Sequence, residues 1–318
     1  MSATRGFSTT WILPAIVLGG LLGLYLPIRG EVLGSITWVA LGVMVFLVVS
    51  SLPLLSVGKA LQKPRVLVPL LVLNFAVVPL IAFVLSRVLW QSPELQVGLL
   101  LVLLAPGVAL ALGTAAQAGG DVESVLATKP LLFVGQLFVV PLFAVALSFG
   151  EFTLADLPPT FLAIASVIAA PALAALALQT LATRLPRLAT ARIAMTRWTV
   201  PAIAGSVILV LWVRVPDNAT RLDELFRLVP LFGAFLVLLA PLGLLAGILA
   251  SLSQAEKRAM MIVGAGRGGI IMLPIALALD AEVWGMVPLV VVAQLGIEVI
   301  GLLVYRSIVP EIVPAWGR

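Results

Sequence analysis

Uncharged apolar stretches recur along the whole chain, separated by short segments that carry charge, glycine or proline. Runs of about 18 or more apolar residues match the length a helix needs to cross a hydrocarbon core about 30 Å thick. Reading the runs between breaks predicts membrane-spanning helices near residues 10–27, 35–57, 67–88, 96–118, 124–148, 159–182, 195–213, 226–250, 258–279 and 284–306. The expected fold is an all-α membrane protein of ten transmembrane helices, with the lipid bilayer as its surroundings. Trp11, Trp90, Trp212, Trp284 and Trp316 fall near predicted span ends, where an amphipathic ring suits the headgroup region.

Composition supports the pattern. Of the 318 residues 62% are hydrophobic and 10% charged, against about 25% charged in soluble domains. There is no cysteine and no histidine, so disulfides, thiolate nucleophiles, zinc clusters and histidine bases are excluded. No cofactor is expected, and the deep charges form no nucleophile and base pair, so the chain does not read as an enzyme. The first apolar run follows a leader with one arginine, Arg5, and reads as a retained helix.

With an even number of crossings both termini share a side. Arg5, Lys59, Lys63, Arg65, Arg184, Arg187, Arg192, Arg197, Lys257, Arg258, Arg306 and Arg318 then fall on that side. Arg29, Arg87, Arg214, Arg221 and Arg227 fall on the other, with acids including Glu151, Asp156, Asp217 and Asp223. Basic loops stay cytoplasmic, which places both termini inside a bacterial inner membrane. The net charge of +5 is thereby explained by topology, and no nucleic-acid partner is expected. The assembly reads as a monomer or a homodimer.

Two halves look related. Val68-Pro69-Leu70 and Pro79-Leu80 in the third span are matched by Val229-Pro230-Leu231 and Pro241-Leu242 in the eighth. Five spans per half is odd, so residues 1–153 and 154–318 are expected to form two inverted repeats. The fourth span of each half carries helix breakers in mid-membrane: Ala105-Pro106-Gly107 in the first, Gly264-Ala265-Gly266-Arg267-Gly268-Gly269 in the second. Proline removes a donor and glycine loosens the backbone, so amides and carbonyls lose intrahelical partners where water is scarce. Lone glycines usually serve close helix packing. Two breaks at equivalent places in two repeats point instead to a transport site.

Three ionisable residues lie inside predicted spans, and each is costly unless it faces the protein interior. Lys129, about five residues into its predicted helix, either faces the site or snorkels to the surface. Arg267 stands within the second break, too deep to snorkel. Glu298 is either a coupling group or the structural ion-pair partner of Arg267 or Lys129. The three leave one net positive charge, which suits an anion.

The stretch Pro106-Gly107-Val108-Ala109-Leu110-Ala111-Leu112-Gly113-Thr114-Ala115-Ala116-Gln117-Ala118-Gly119-Gly120-Asp121 resembles the fourth-helix motif of the bile acid:sodium symporter family, and Gly264 to Gly269 its ninth-helix crossover. The wider superfamily also holds arsenite efflux permeases. The resemblance implies inverted repeats with crossing broken helices 4 and 9, a panel domain of helices 1, 2, 6 and 7, and a core domain of helices 3–5 and 8–10. It also implies a substrate site at Pro106, Gly107, Ala111, Leu112, Thr114, Gly264, Gly266, Arg267, Gly268 and Asn74. Family members hold sodium with a Ser-Asn pair, helix-five hydroxyls, a helix-three Gln and a helix-nine Glu with Gln-Asn. Those positions here read Ala111 and Leu112, Lys129 at one of the hydroxyl positions, Asn74, Ile262, and Gly266 with Arg267.

A hard cation needs a shell of oxygen ligands, and most of that shell is missing. The expectation is a secondary transporter of a small organic anion, an organic acid or a bile-acid-like molecule. Lys129 and Arg267 replace two sodium ions in it, and a proton remains open as coupling ion through Glu298. A sodium- or proton-coupled symporter is the alternative, and an anion channel is the reading from a different class. An arsenite permease would want a thiol, which this chain lacks.

Overall fold

In the computed structural model the chain is described from residue 8 to 314, apart from 29, 57, 59–60, 108, 154 and 157–160 and the side chains of 109, 137–138, 141 and 161–166. Arg5, Arg29, Lys59, Val108, Trp316 and Arg318 lie outside the described residues. Every regular element among the described residues is helical: α1 Ile12–Tyr25, α2 Glu31–Ser51, α3 Pro64–Leu89, α4 Pro93–Leu104, α5 Ala109–Gln117, α6 Val122–Leu126, α7 Lys129–Leu147, α8 Phe161–Ala182, α9 Pro186–Thr196, α10 Thr199–Asn218, α11 Leu228–Leu249, α12 Gln254–Ala265, α13 Leu273–Ala278, α14 Ala281–Trp284 and α15 Val287–Ile312, with short 3-10 segments between some of them.

Among the described residues five continuous helical stretches are long and apolar enough to cross a membrane. One of them, Thr199–Leu249, has 51 residues, more than twice the roughly 20 that one crossing uses. Its charged 3-10 segment Ala219–Arg227 separates α10 from α11. Exposed Val17, Val39, Val84, Val237, Leu249 and Ile300 give the outside a lipid-like surface. The protein is a multi-pass membrane protein.

Prolines mark helix starts, where the missing N–H costs nothing: Pro64, Pro93, Pro130, Pro186 and Pro288 all stand in a first turn. This moves one expected boundary. The run near 124–148 is two helices, α6 and α7, so Lys129 is the first residue of α7 and not five residues inside a longer one. Arg214 stands within α10 and not in a loop; it donates to the Leu277 carbonyl at 2.8 Å, at the end of α13 where backbone donors run out. Trp284, expected at an interface, is buried and meets Phe152 edge-on with centroids 5.4 Å apart. The basic stretch after α8 is the separate helix α9, which buries no side chain.

Small residues set the closest contacts. A Cβ on Gly19 or Gly23 of α1 would lie 2.8 Å from Ile208 Cα or 2.7 Å from Val215 Cβ of α10. Gly243 of α11 is as close to the Met260 carbonyl of α12, at 2.9 Å. Dispersion and close backbone approach drive helix association where lipid offers no hydrophobic gain. One packed group joins α1, α2, α8 and α10; a second gathers α3, α4, α5, α7, α11, α12, α13 and α15. The second group encloses Gln254–Ala278 completely, with 100% of its most apolar window buried, against 39–61% for the other four candidate spans.

Candidate functional site

Both interruptions are real breaks in backbone geometry. At the first, α4 ends at Leu104 and Ala105 turns extended at φ −58°, ψ 148°; the chain regains helix at Ala109. At the second, α12 ends at Ala265 and Gly266 is extended at φ −68°, ψ 130°. A 3-10 turn over Gly269–Met272 then leads into α13. The two breaks touch: the Gly268 N–H donates to the Pro106 carbonyl at 3.1 Å. A Cβ on Gly107 would come within 2.7 Å of the Gly266 carbonyl, and one on Gly266 within 2.5 Å of Ala111 Cβ. Glycine is required here for close approach of backbones, at positions no side chain can share.

The expected charges converge on this crossing. Lys129 is 4% exposed, and its Nζ donates to the Gly107 carbonyl at 2.9 Å, so its amine turns inward and does not snorkel. Arg267 is 2% exposed. Its guanidinium donates to Asn74 Oδ1 at 2.9 Å and to the Gly264 carbonyl, with the Phe235 ring centroid 5.9 Å from Cζ. Asn74 sits in a π-helical turn of α3, Leu73–Val77, and spends its own amide on the Leu70 carbonyl at 2.7 Å. A wide turn of this kind is common at functional sites. Glu298 of α15 is 2% exposed and accepts from Gln294 Nε2 at 2.8 Å. Its other oxygen would lie 3.4 Å from a Cβ on Gly266. Among the described residues Glu298 makes no direct ion pair with Arg267 or Lys129, although both stand close to it.

Of the remaining expected residues, Ala111 meets Gly266 at the crossing, and among the described residues neither Leu112 nor Thr114 bonds across it. Ala111 and Leu112 are buried and apolar, Ile262 likewise, and Thr114 turns its hydroxyl back to the Leu110 carbonyl at 3.4 Å.

Two residues were not anticipated. Gln136, two turns along α7 from Lys129, donates to Asn74 Oδ1 at 3.3 Å and to the Leu104 carbonyl at 3.2 Å, where α4 breaks. Gln294 aims its amide oxygen at Gly269, 2.7 Å from where a Cβ would be. Both are neutral glutamines on apolar helices, and that rarity was the available signal. Arg267 Nε, Gln136 Oε1 and Gln294 Oε1 are all buried without a protein partner, so the crossing retains hydrogen-bonding capacity of both signs.

The model of the sodium bile acid symporter family matches residues 38–213. This chain belongs to that family. The match runs from α2 into α10 and so covers the first break and Lys129; the second break lies beyond it. No curated protein matches the chain. Family members are membrane transporters, and a polytopic chain with a buried polar crossing accords with that class.

Proposed function

We propose that this chain is a secondary transporter of a small organic anion that works without sodium, with Lys129 and Arg267 standing for the two sodium ions of its family. The observation that carries the reading is the bonding at the crossing. The Gly107 and Gly264 carbonyls and Asn74 Oδ1, the oxygens best placed to ligate a cation, already accept from Lys129 and Arg267. A hard cation prefers carboxylates and a full shell of oxygens; Ala111, Leu112 and Ile262 contribute none. The residues present therefore do not fit sodium. A tethered ammonium and guanidinium neutralise the carbonyl dipoles permanently, and their unused donors face an incoming carboxylate.

In the same reading ten spans form two inverted repeats, 1–153 and 154–318. α1, α2, α8 and α10 act as the panel against which the second group rocks. Both termini are cytoplasmic in a bacterial inner membrane, and the protein works as a monomer or homodimer. A second reading, proton-coupled symport, is favoured by one observation: Glu298 is a buried carboxylate whose side-chain hydrogen-bond partner is the neutral Gln294.

The test is anion uptake and exchange in proteoliposomes with sodium, without sodium, and under an imposed pH gradient. Uptake in sodium-free buffer is expected. Strict dependence on sodium would sink the proposal, and acceleration by the pH gradient that is lost in Glu298→Gln would select the second reading.

A further inference from the structure

Apart from the crossing, one groove on the outer surface is walled almost wholly by apolar side chains of two helices. It lies between α3 and α11, has a volume of about 470 Å³, and is lined by Val68, Pro69, Val72, Leu73 and Val77 on one wall. Leu242, Leu245, Ala246 and Leu249 form the other. The lining positions step by three or four residues, so each helix gives one continuous face. From Arg65 to Val77 the α3 wall is about 18 Å long at 1.5 Å per residue. That is close to one leaflet, half of a hydrocarbon core about 30 Å thick.

The groove is apolar along its length and cationic at one end. Arg65 lines that end, is exposed, and has no hydrogen-bond or ion-pair partner among the described residues. A one-leaflet apolar trough closed by an exposed positive charge matches a lipid with a net anionic headgroup: chain in the trough, phosphate beside the Arg65 charge. We propose that this groove binds one anionic phospholipid, its acyl chain between α3 and α11 and its phosphate on Arg65.

The site bears on the transport crossing from behind. Leu73 lines the groove and lies 3.5 Å from where a Cβ on Gly264 would be. The next residue, Asn74, holds Arg267. A lipid chain pressed on the π-helical turn therefore supports the Asn74 side-chain oxygen in its position, and occupancy stabilises the crossing.

The test uses the full-length purified protein in detergent with phosphatidylglycerol or phosphatidylcholine added, bound lipid being counted by native mass spectrometry. About tenfold preference for phosphatidylglycerol is expected in the wild type and in Arg65→Lys, and none in Arg65→Gln. Val72→Trp, which fills the trough, should remove the bound lipid, whereas Arg184→Gln should keep it. Equal binding of the two lipids by the wild type, or full retention of phosphatidylglycerol by both Arg65→Gln and Val72→Trp, overturns the proposal. The variants are surface changes, and monodispersity on size exclusion checks that each is folded before lipid is counted.

Discussion

The two breaks that meet at the crossing solve one electrostatic problem differently. At the first, the cation arrives from outside: Lys129 starts a separate helix and, among the described residues, donates to one acceptor, the Gly107 carbonyl. An ammonium has three donors, so Lys129 holds capacity in reserve. At the second break the cation is part of the break itself. Arg267 is clamped by Asn74 and the Gly264 carbonyl, lies near Phe235, and belongs to the fully enclosed stretch. A planar fork with two fixed acceptors is held rigidly. Arg267 therefore reads as the fixed charge that keeps two open helix ends compatible, and Lys129 as the group with donors left for a bound anion.

The largest effects should come from removing each cation, and the comparison predicts that they differ in kind. Arg267→Gln and Arg267→Lys are both expected to abolish transport without creating sodium activation, because neither rebuilds the fork. Arg267→Ala should also cost about 3 kcal/mol in thermal unfolding, from the emptied space and the acceptors left behind. Lys129→Met should lose at least about tenfold in uptake while changing stability by less than about 1 kcal/mol, since one neutral carbonyl loses one donor and a buried charge is removed. Equal destabilisation by Arg267→Ala and Lys129→Met would dissolve the distinction.

Next in size is the contact that lets the breaks touch. In Gly266→Ala the new methyl would stand 2.5 Å from Ala111 Cβ, an overpacking expected to cost about 1–3 kcal/mol. Ala111→Gly in the same chain should return most of it, because that methyl is the nearest obstacle. Absence of rescue would mean that the strain lies in the backbone and not between these two side chains.

The sequence carried the large features of this arrangement because they are simple physics. Apolar length gives spans, and Pro-Gly and Gly-rich interruptions at matching places give breaks that the structure brings into contact through Gly268 and Pro106. Burial of Arg267 followed from the cost of charge in lipid. What it did not carry were partnerships. Whether Lys129 snorkels depends on where α7 begins, and Pro130 moves that start by several residues. Nothing in a one-dimensional pattern says that Asn74 would face Arg267 from a π-helical turn, or that Gln136 would brace it. Trp284 illustrates the same limit: its place near a span end was legible, but its burial against Phe152 was not.

Gln136 offers the next sharpening. Its amide joins the first break, through the Leu104 carbonyl, to the Asn74 oxygen that serves the second. Gln136→Leu keeps the volume and removes both bonds, with an expected cost of about 1–2 kcal/mol. If it bridges the two breaks, the loss should shrink in an Arg267→Ala background, where Asn74 has already lost its charge partner; strict additivity would show that the breaks are held independently.

The smallest effect belongs to the polar rim, where water screens what lipid does not. Asp121 caps α6, accepting from the Ser124 N–H at 3.2 Å and from its hydroxyl, while its own N–H donates to the Ala255 carbonyl at 2.9 Å and so ties the end of α5 to α12. Burial opposes its ionisation, but the Ser124 bonds and the nearby Lys63 charge prevail and hold the carboxyl below its ordinary value. A depressed carboxylate stabilises the fold above its unfolded pKa, and that contribution is lost as pH falls through the folded value. Asp121→Asn should therefore leave stability at neutral pH within about 1 kcal/mol, since asparagine also caps, and should flatten the loss of stability at acid pH. Raising salt should weaken the Lys63 part of this effect but leave the Arg267→Ala effect unchanged, because only the rim is open to counterions. Equal salt sensitivity at both places would mean that water reaches the crossing in the resting protein, and the contrast between a dry centre and a wet rim would fail.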